Sequence, residues 1–189
     1  MNAFNIYLCG VGGQGIGLLS EVLLRGGDYA GFKAKAVDTH GLAQRGGIVV
    51  SHLRFGSSVY SPMVAENEAD LVIALERHEA LRGAEFALKD GGTLIYYNTV
   101  LQPLGVRLGK ETEVSEEYVE DACSKRGITV YSVNCQDLED PRMQNIAVLA
   151  HINKYGLIPK MTKENMIQAM QDLMTDKTLQ ENLQLFESQ

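Results

Sequence analysis

Short apolar, β-favouring runs alternate along the chain with longer stretches whose apolar residues recur every three or four positions, the sequence form of a parallel sheet covered by helices. The first run, Phe4 to Cys9, predicts a strand, and Gly10 to Gly15 follow it as a glycine-dense turn. Ile16, Leu19, Val22 and Leu23 then repeat at helical spacing until Gly31, a residue suited to closing a helix. Lys33 to Val37 predicts a second strand ending at Asp38, and Ile48 to Phe55 a third, cut off by Gly56-Ser57-Ser58. Pro62 ends any strand beyond it. Leu71 to Leu75 is apolar throughout, as a strand covered on both faces must be. A helix through Leu88, a turn at Asp90-Gly91-Gly92 and a strand from Thr93 to Tyr97 are expected next.

Caps organise the second half. Gln102 to Thr112 carries Pro103, Gly105 and Gly109 without a period, so an irregular excursion is expected. Ser115 with Glu116 and Glu117 supplies a helix start whose carboxylates suit the positive end of the dipole, and Ile128 to Val133 predicts another strand. Asp140-Pro141 reads as a cap followed by a proline at the first helical position, opening a helix through Ile146, Leu149 and Ala150 with little polar surface. Thr162 caps a last amphipathic helix carrying Met166, Ile167, Met170, Leu173 and Met174, where methionines ordinarily fill core. No repeat, low-complexity tract or composition break marks a linker. The expected architecture is α/β: one Rossmann-like, doubly wound, mostly parallel sheet with helices on both faces and a helical C-terminal tail, residues 1–189 forming a single domain.

Seventeen Lys and Arg against 24 Asp and Glu leave the 189-residue chain at −7, with no basic stripe, so nucleic acid is not an expected partner. Cys9, Cys123 and Cys135 are far apart and never spaced C-x-x-C, which argues against a disulfide framework, a zinc knuckle or an iron–sulfur cage and fits a reducing cytoplasm. No apolar stretch approaches the roughly 20 residues that cross a bilayer, and the N-terminus lacks the basic region of a signal peptide, so no membrane association is expected.

Gly10-Val11-Gly12-Gly13-Gln14-Gly15 matches G-x-G-x-x-G between a predicted strand and a predicted helix, and Asp38 answers it at the end of the second strand. Residues without Cβ let main-chain N–H groups reach an anion at the positive end of a helix, or else simply allow a tight crossing. The pattern alone admits a free-standing NAD-binding dehydrogenase. A second cluster, Thr39-His40-Gly41-Leu42-Ala43-Gln44-Arg45-Gly46-Gly47, lies beyond the carboxyl end of the second strand, where open α/β sheets bind ligands. Arg45 could hold a phosphate or carboxylate with its rigid fork, or pair with a local acid. His40 reads as a loop histidine rather than a catalytic one, His52 falls inside a strand, and Cys9 as a small buried thiol. The acids from Glu111 to Asp121 read as a solvated helix face without cationic companions. No P-loop, nucleophile elbow or H-E-x-x-H is present, so self-contained catalysis is not expected.

The glycine turn, the loop from His40 to Gly47 and Val49-Val50-Ser51-His52 together resemble the gamma-type subunits of 2-oxoacid:ferredoxin oxidoreductases, in particular their indolepyruvate branch. Tyr60-Ser61-Pro62, the stretch from Glu68 to Arg82 and Glu181 to Phe186 extend the similarity along nearly the whole chain. His78 and Gln144 depart from the family pattern, standing where an apolar residue and a glycine are expected. The resemblance implies a small subunit of a complex that converts arylpyruvates such as indolepyruvate, with coenzyme A as co-substrate, to aryl-acetyl-CoA, carbon dioxide and reduced ferredoxin; pyruvate or 2-oxoglutarate are the alternative substrates. It further implies that a larger catalytic subunit carries thiamine diphosphate and iron–sulfur clusters, this chain alone binding none. Gly12, Gly13, Gln14, Gly15, Thr39, His40, Gln44, Arg45, Gly46 and Gly47 would then lie near the partner's active centre or the coenzyme A phosphates, none of them catalytic.

Overall fold

The computed structural model describes residues 3–40, 47–101, 104–110, 112–135, 138 and 140–189. In chain order these form β1 (Phe4–Val11), α1 (Ile16–Tyr29), β2 (Ala34–His40), β3 (Ile48–Phe55), β4 (Ala69–Ala74), α2 (Arg77–Phe86), β5 (Leu88–Tyr97), α3 (Leu104–Arg107), α4 (Glu116–Ser124), β6 (Thr129–Val133), α5 (Gln144–Lys154), α6 (Lys163–Leu173) and α7 (Asp176–Ser188). The strands make one sheet in the order β2-β3-β1-β4-β5-β6. β1, β4, β5 and β6 run parallel, while β3 runs against both β1 and β2. The expected mostly parallel sheet with helices on both faces is present.

Alternation along the strands divides the core. Ile6, Leu8, Leu53, Phe55, Leu71 and Ile73 face one side, where α1, α5, α6 and α7 bury Leu19, Leu23, Ile146, Leu149, Met166, Met170 and Phe186. Tyr7, Cys9, Val72, Ala74, Leu94 and Tyr96 face the other, packed by Ala80 and Ala84 of α2 and Val119 and Cys123 of α4. β4 is buried on both faces, as its continuous apolar run requires. The methionines of α6 are core, as their spacing predicts.

Four local expectations fail, besides the stretch from Gln102 to Thr112, expected to be irregular, where the single-turn helix α3 forms over Leu104–Arg107. Asp38 does not answer the glycine turn from a neighbouring strand, because β3 is inserted between β1 and β2; strand adjacency depends on long-range pairing that hydrophobic period does not encode. Asp90-Gly91-Gly92 is not a turn between helix and strand: β5 begins at Leu88 and runs through it, with a register shift against β4 that Gly91 absorbs at φ +72°. The helix capped by Thr162 is not the last, since α7 follows it and buries Phe186 against the same core. The 111–121 acids do have cationic companions: Glu113 lies 3.8 Å from Arg77 and Asp121 2.6 Å from Lys125.

His52 is buried on the α2 side of the sheet, its ring edge-on to Tyr7 at 5.1 Å, and its Nδ1 accepts the Val64 N–H at 3.1 Å. Burial pushes its pKa down from the ordinary 6.5. A histidine whose folded pKa is depressed stabilises fully above its unfolded pKa and loses that contribution as pH falls through the window between the two values. Protonation at Nδ1 also removes the acceptor that Val64 uses. Urea unfolding of wild type and His52→Gln should therefore show a stability difference that is larger at pH 7.5 than at pH 5; a difference independent of pH would refute the account.

Candidate functional site

The carboxyl ends of β1 and β4 lie side by side, with chain leaving β1 for α1 on one face and leaving β4 for α2 on the other. This is a switch point of the sheet, where a crevice opens. Gly10, the last residue but one of β1, is under tight constraint: a Cβ there would stand 2.9 Å from Ile16 Cδ1 and 3.0 Å from Gln14 Oε1. Gly13 and Gly15 adopt φ +105° and +80°, and Gly15 is the N-cap of α1. That cap has no side-chain hydrogen bond and the first turn of α1 holds no acid, so among the described residues the first amides of this 14-residue helix have no side-chain acceptor. Main-chain donors at a positive helix end suit an anionic group.

The turn is locked from beneath by amide side chains. Gln14 is 5% exposed; its Oε1 accepts the Val11 N–H at 2.8 Å, and its Nε2 donates to Leu75 O at 2.5 Å and to Gln144 Oε1 at 3.1 Å. Asn145 Nδ2 donates to Gly15 O at 3.2 Å. Gln144 and Asn145 open α5, so three segments far apart in sequence converge on one glycine turn. Gln144, the residue that departs from the expected glycine, is thus part of the lock.

The two sequence clusters meet at one described point, where Gly12 N donates to Gly47 O at 2.8 Å. Thr39 stands on the edge strand, its hydroxyl donating to Val50 O at 3.1 Å. Its register partner Val50 pairs in turn with Cys9, which puts Thr39 two strand spacings, about 10 Å, from β1. His40 ends β2 opposite Val49. Gln44, Arg45 and Gly46, with the side chain of His40, lie outside the described residues. Asp38 is also on β2 and receives the Ser20 hydroxyl at 3.3 Å, so it is held toward α1 rather than beside the glycine turn. A dinucleotide site of the expected kind needs that acid on the strand next to β1, and here β3 occupies that place.

Sequence reasoning missed the polar residues that frame the crevice on its other side. Glu76, 1% exposed, caps α2 by accepting the Glu79 N–H at 3.0 Å, and its second oxygen accepts Leu101 N–H at 3.2 Å. A carboxylate three residues before Glu79 at a strand-to-helix junction was the available signal. Arg77 donates twice to Asn98 Oδ1, at 2.8 and 2.6 Å, and Asn98 donates to Glu116 at 2.8 Å. The Ser132 hydroxyl on the other oxygen of Glu116 is the main reason that this carboxyl sits below its ordinary pKa. Among the described residues no group of three or more His, Cys, Asp or Glu is placed to hold a metal ion, and the three cysteines are free.

A family model described as pyruvate ferredoxin/flavodoxin oxidoreductase matches residues 5–188. Indolepyruvate oxidoreductase subunit IorB of Archaeoglobus fulgidus is 33% identical over 184 residues, covering 95% of this chain and 90% of that protein. The same-named subunit of Pyrococcus horikoshii is 38% identical over 119 residues, 63% of this chain and 58% of the relative, so the match spans little more than half of that protein's length. Among solved structures, 2-oxoglutarate:ferredoxin oxidoreductase from Magnetococcus marinus, with 2-oxoglutarate, coenzyme A and succinyl-CoA bound, superposes with a TM-score of 0.74 at 17% identity, covering 100% of this chain and 30% of that one. That likeness is one of fold.

Proposed function

The chain belongs to the pyruvate ferredoxin/flavodoxin oxidoreductase family, and on that premise we propose that it is the small, single-domain subunit of an oxidoreductase acting on arylpyruvates such as indolepyruvate. Identity of 33% across nearly the full length to a subunit named for indolepyruvate favours that substrate over pyruvate or 2-oxoglutarate. Breaking the bond next to the oxo group requires an electron sink, which thiamine diphosphate supplies when bound and no side chain here replaces. In this reading the thiamine and the iron–sulfur clusters belong to a larger catalytic subunit, ferredoxin takes the electrons, and the complex works in the cytoplasm. The cysteines suit that division of labour, being poorly placed as cluster ligands: Cys9 and Cys123 are buried on the α2 side of the sheet, and Cys135 packs against the core on the other.

What this chain contributes is a shaped wall. The observation that carries the reading is the locked turn: among the described residues the Gly13 and Gly15 N–H groups, at an open helix end, have no acceptor, while the Gly12 N–H is given to Gly47 O and ties the turn to the second loop. Donors fixed in advance recognise an anionic oxygen without further ordering, which suits a coenzyme A phosphate or a substrate carboxylate. Gln44, Arg45 and Gly46 would complete the wall from the second loop, with Thr39 and His40 at its foot. The nicotinamide-dependent alternative is not favoured, because Asp38 is a strand too far from the turn.

Mixing the purified chain with its thiamine-bearing partner tests the reading. Oxoacid- and coenzyme A-dependent reduction of an electron carrier should appear only in the mixture, whereas the chain alone should show no turnover. A partner that turns over at the same rate without this chain would overturn the proposal.

A further inference from the structure

The structure assigns a second anion site to the opposite end of the sheet, a pocket for the phosphate group of a small phosphorylated molecule, held by Lys33, Lys160 and Ser57 over the Phe32 ring. Three connections meet there: the turn from α1 into β2, the turn leaving β3, and the turn between α5 and α6. They enclose a cavity of about 290 Å³, close to the lower end of the size range of small-molecule sites. Lys33 and Lys160 line it, and none of its lining residues carries a carboxylate. Neither lysine takes part in an ion pair among the described residues, where most of the arginines and several lysines are paired.

Charge makes this pocket unlike its surroundings. A chain carrying −7 repels a phosphate over most of its surface, so two unpaired ammonium groups in one concavity form a local attractive field. Lys33, Ser57 and Lys160 line the pocket from three different turns, so three donors are available there, a number that suits the three oxygens of a phosphate group better than the two of a carboxylate. The backbone is open to approach: a Cβ built on Gly31 would meet no heavy atom within 4 Å. One lining residue is apolar and held in place, for Phe32 stacks on the buried Phe55 with ring centroids 5.5 Å apart. The volume exceeds that of a bare phosphate, leaving room for a compact organic group against that ring.

The pocket is separate from the glycine turn. Gly56 and Lys33 lie beside the start of β1, whereas Gly12 follows its end, so the eight residues of the strand, about 26 Å, stand between them.

Titration of the ¹⁵N-labelled full chain with inorganic pyrophosphate at low ionic strength tests the assignment. Saturable amide shifts are expected at Gly31, Phe32, Gly56, Ser57 and Lys160, weakening as salt is raised. Lys33→Gln/Lys160→Gln should fold normally by circular dichroism and lose at least about fivefold in affinity, as expected for two solvent-facing charge contacts. Malonate, a dicarboxylate control, should bind more weakly than pyrophosphate. Shifts confined to Gly12, Gly13 and Gly15, equal response to malonate, or an unchanged affinity in the double variant would each overturn the site.

Discussion

Replacing Gly15 with alanine is expected to remove about 3 kcal/mol of unfolding free energy, the sum of a left-handed backbone penalty and a steric one. Gly15 sits at φ +80°, a conformation that costs an alanine roughly 1–2 kcal/mol. Its added Cβ would also stand 2.5 Å from Asn145 Nδ2, well inside contact distance, and Asn145 is 3% exposed and hydrogen-bonded at both ends of its amide. Moving Asn145 breaks its hydrogen bond to Gly15 O and disturbs the first turn of α5, whose Ile146 N–H the same side chain accepts at 2.8 Å. For a chain of this length the loss corresponds to a fall in melting temperature of about 6–12 °C. Gly15→Ala combined with Asn145→Ala should recover the steric part and leave the backbone part, so the double variant is expected to be less destabilised than the sum of the single ones. A Gly15→Ala protein within about 0.5 kcal/mol of wild type would show that the turn tolerates rearrangement and that its geometry is not fixed by α5.

The same residues show how far the sequence could be read. The turn itself was legible, because a strand ending in Gly10-Val11-Gly12-Gly13-Gln14-Gly15 before a helical period needs left-handed positions and close approach, both of which are local properties. Ser115, Asp140 and Thr162 were legible as caps for the same reason: each accepts a backbone N–H two or three residues ahead. What the turn rests on was not legible. Gln144 and Asn145 reach Gln14 and Gly15 across 130 residues, and nothing in the local pattern of Met143-Gln144-Asn145 marks those amides as inward facing. The insertion of β3 beside β1 is hidden in the same way. Ile48 to Phe55 pairs in unbroken antiparallel register with both Phe4–Val11 and Ala34–His40, yet each run has the composition of a strand that could pair elsewhere. That one misplacement is what made Asp38 look like a partner of the glycine turn. β5 was mistaken at Asp90-Gly91-Gly92 because a bulge and a turn use the same residues; only the pairing of Leu88 with Ala69 and of Thr93 with Leu71 distinguishes them.

Gln14→Leu is expected to be at least as damaging as Gly15→Ala, although the substitution keeps side-chain size and backbone preference close to those of glutamine. Leucine leaves the Val11 N–H, the Leu75 carbonyl and the Gln144 Oε1 without their present partner, all at a site where Gln14 itself is 5% exposed. Each orphaned buried group costs about 1–3 kcal/mol, and with partial relaxation of the exposed end of the turn the net loss should be about 3–4 kcal/mol. Gln14→Glu separates hydrogen bonding from packing. The introduced carboxylate could still accept from Val11 N–H, but ionised it would face two other oxygens, Leu75 O and Gln144 Oε1, with no proton to offer them. Protonating that carboxylate restores one donor, so its folded pKa must lie above the unfolded value; the variant should be nearest to wild type at low pH and lose stability as pH rises through that folded pKa. A Gln14→Ala/Gln144→Ala cycle should return a coupling of about 1 kcal/mol, since the two amides share one hydrogen bond. If the lock is what preforms the anion-facing amides, Gln144→Ala should also weaken the action of the reconstituted complex on its oxoacid, while a surface substitution of equal stability cost should not. Gln14→Leu that unfolds at the same urea concentration as wild type, with Gln14→Glu insensitive to pH, would mean that water or neighbouring groups replace these bonds, and the rigidity on which the shaped-wall reading depends would be gone.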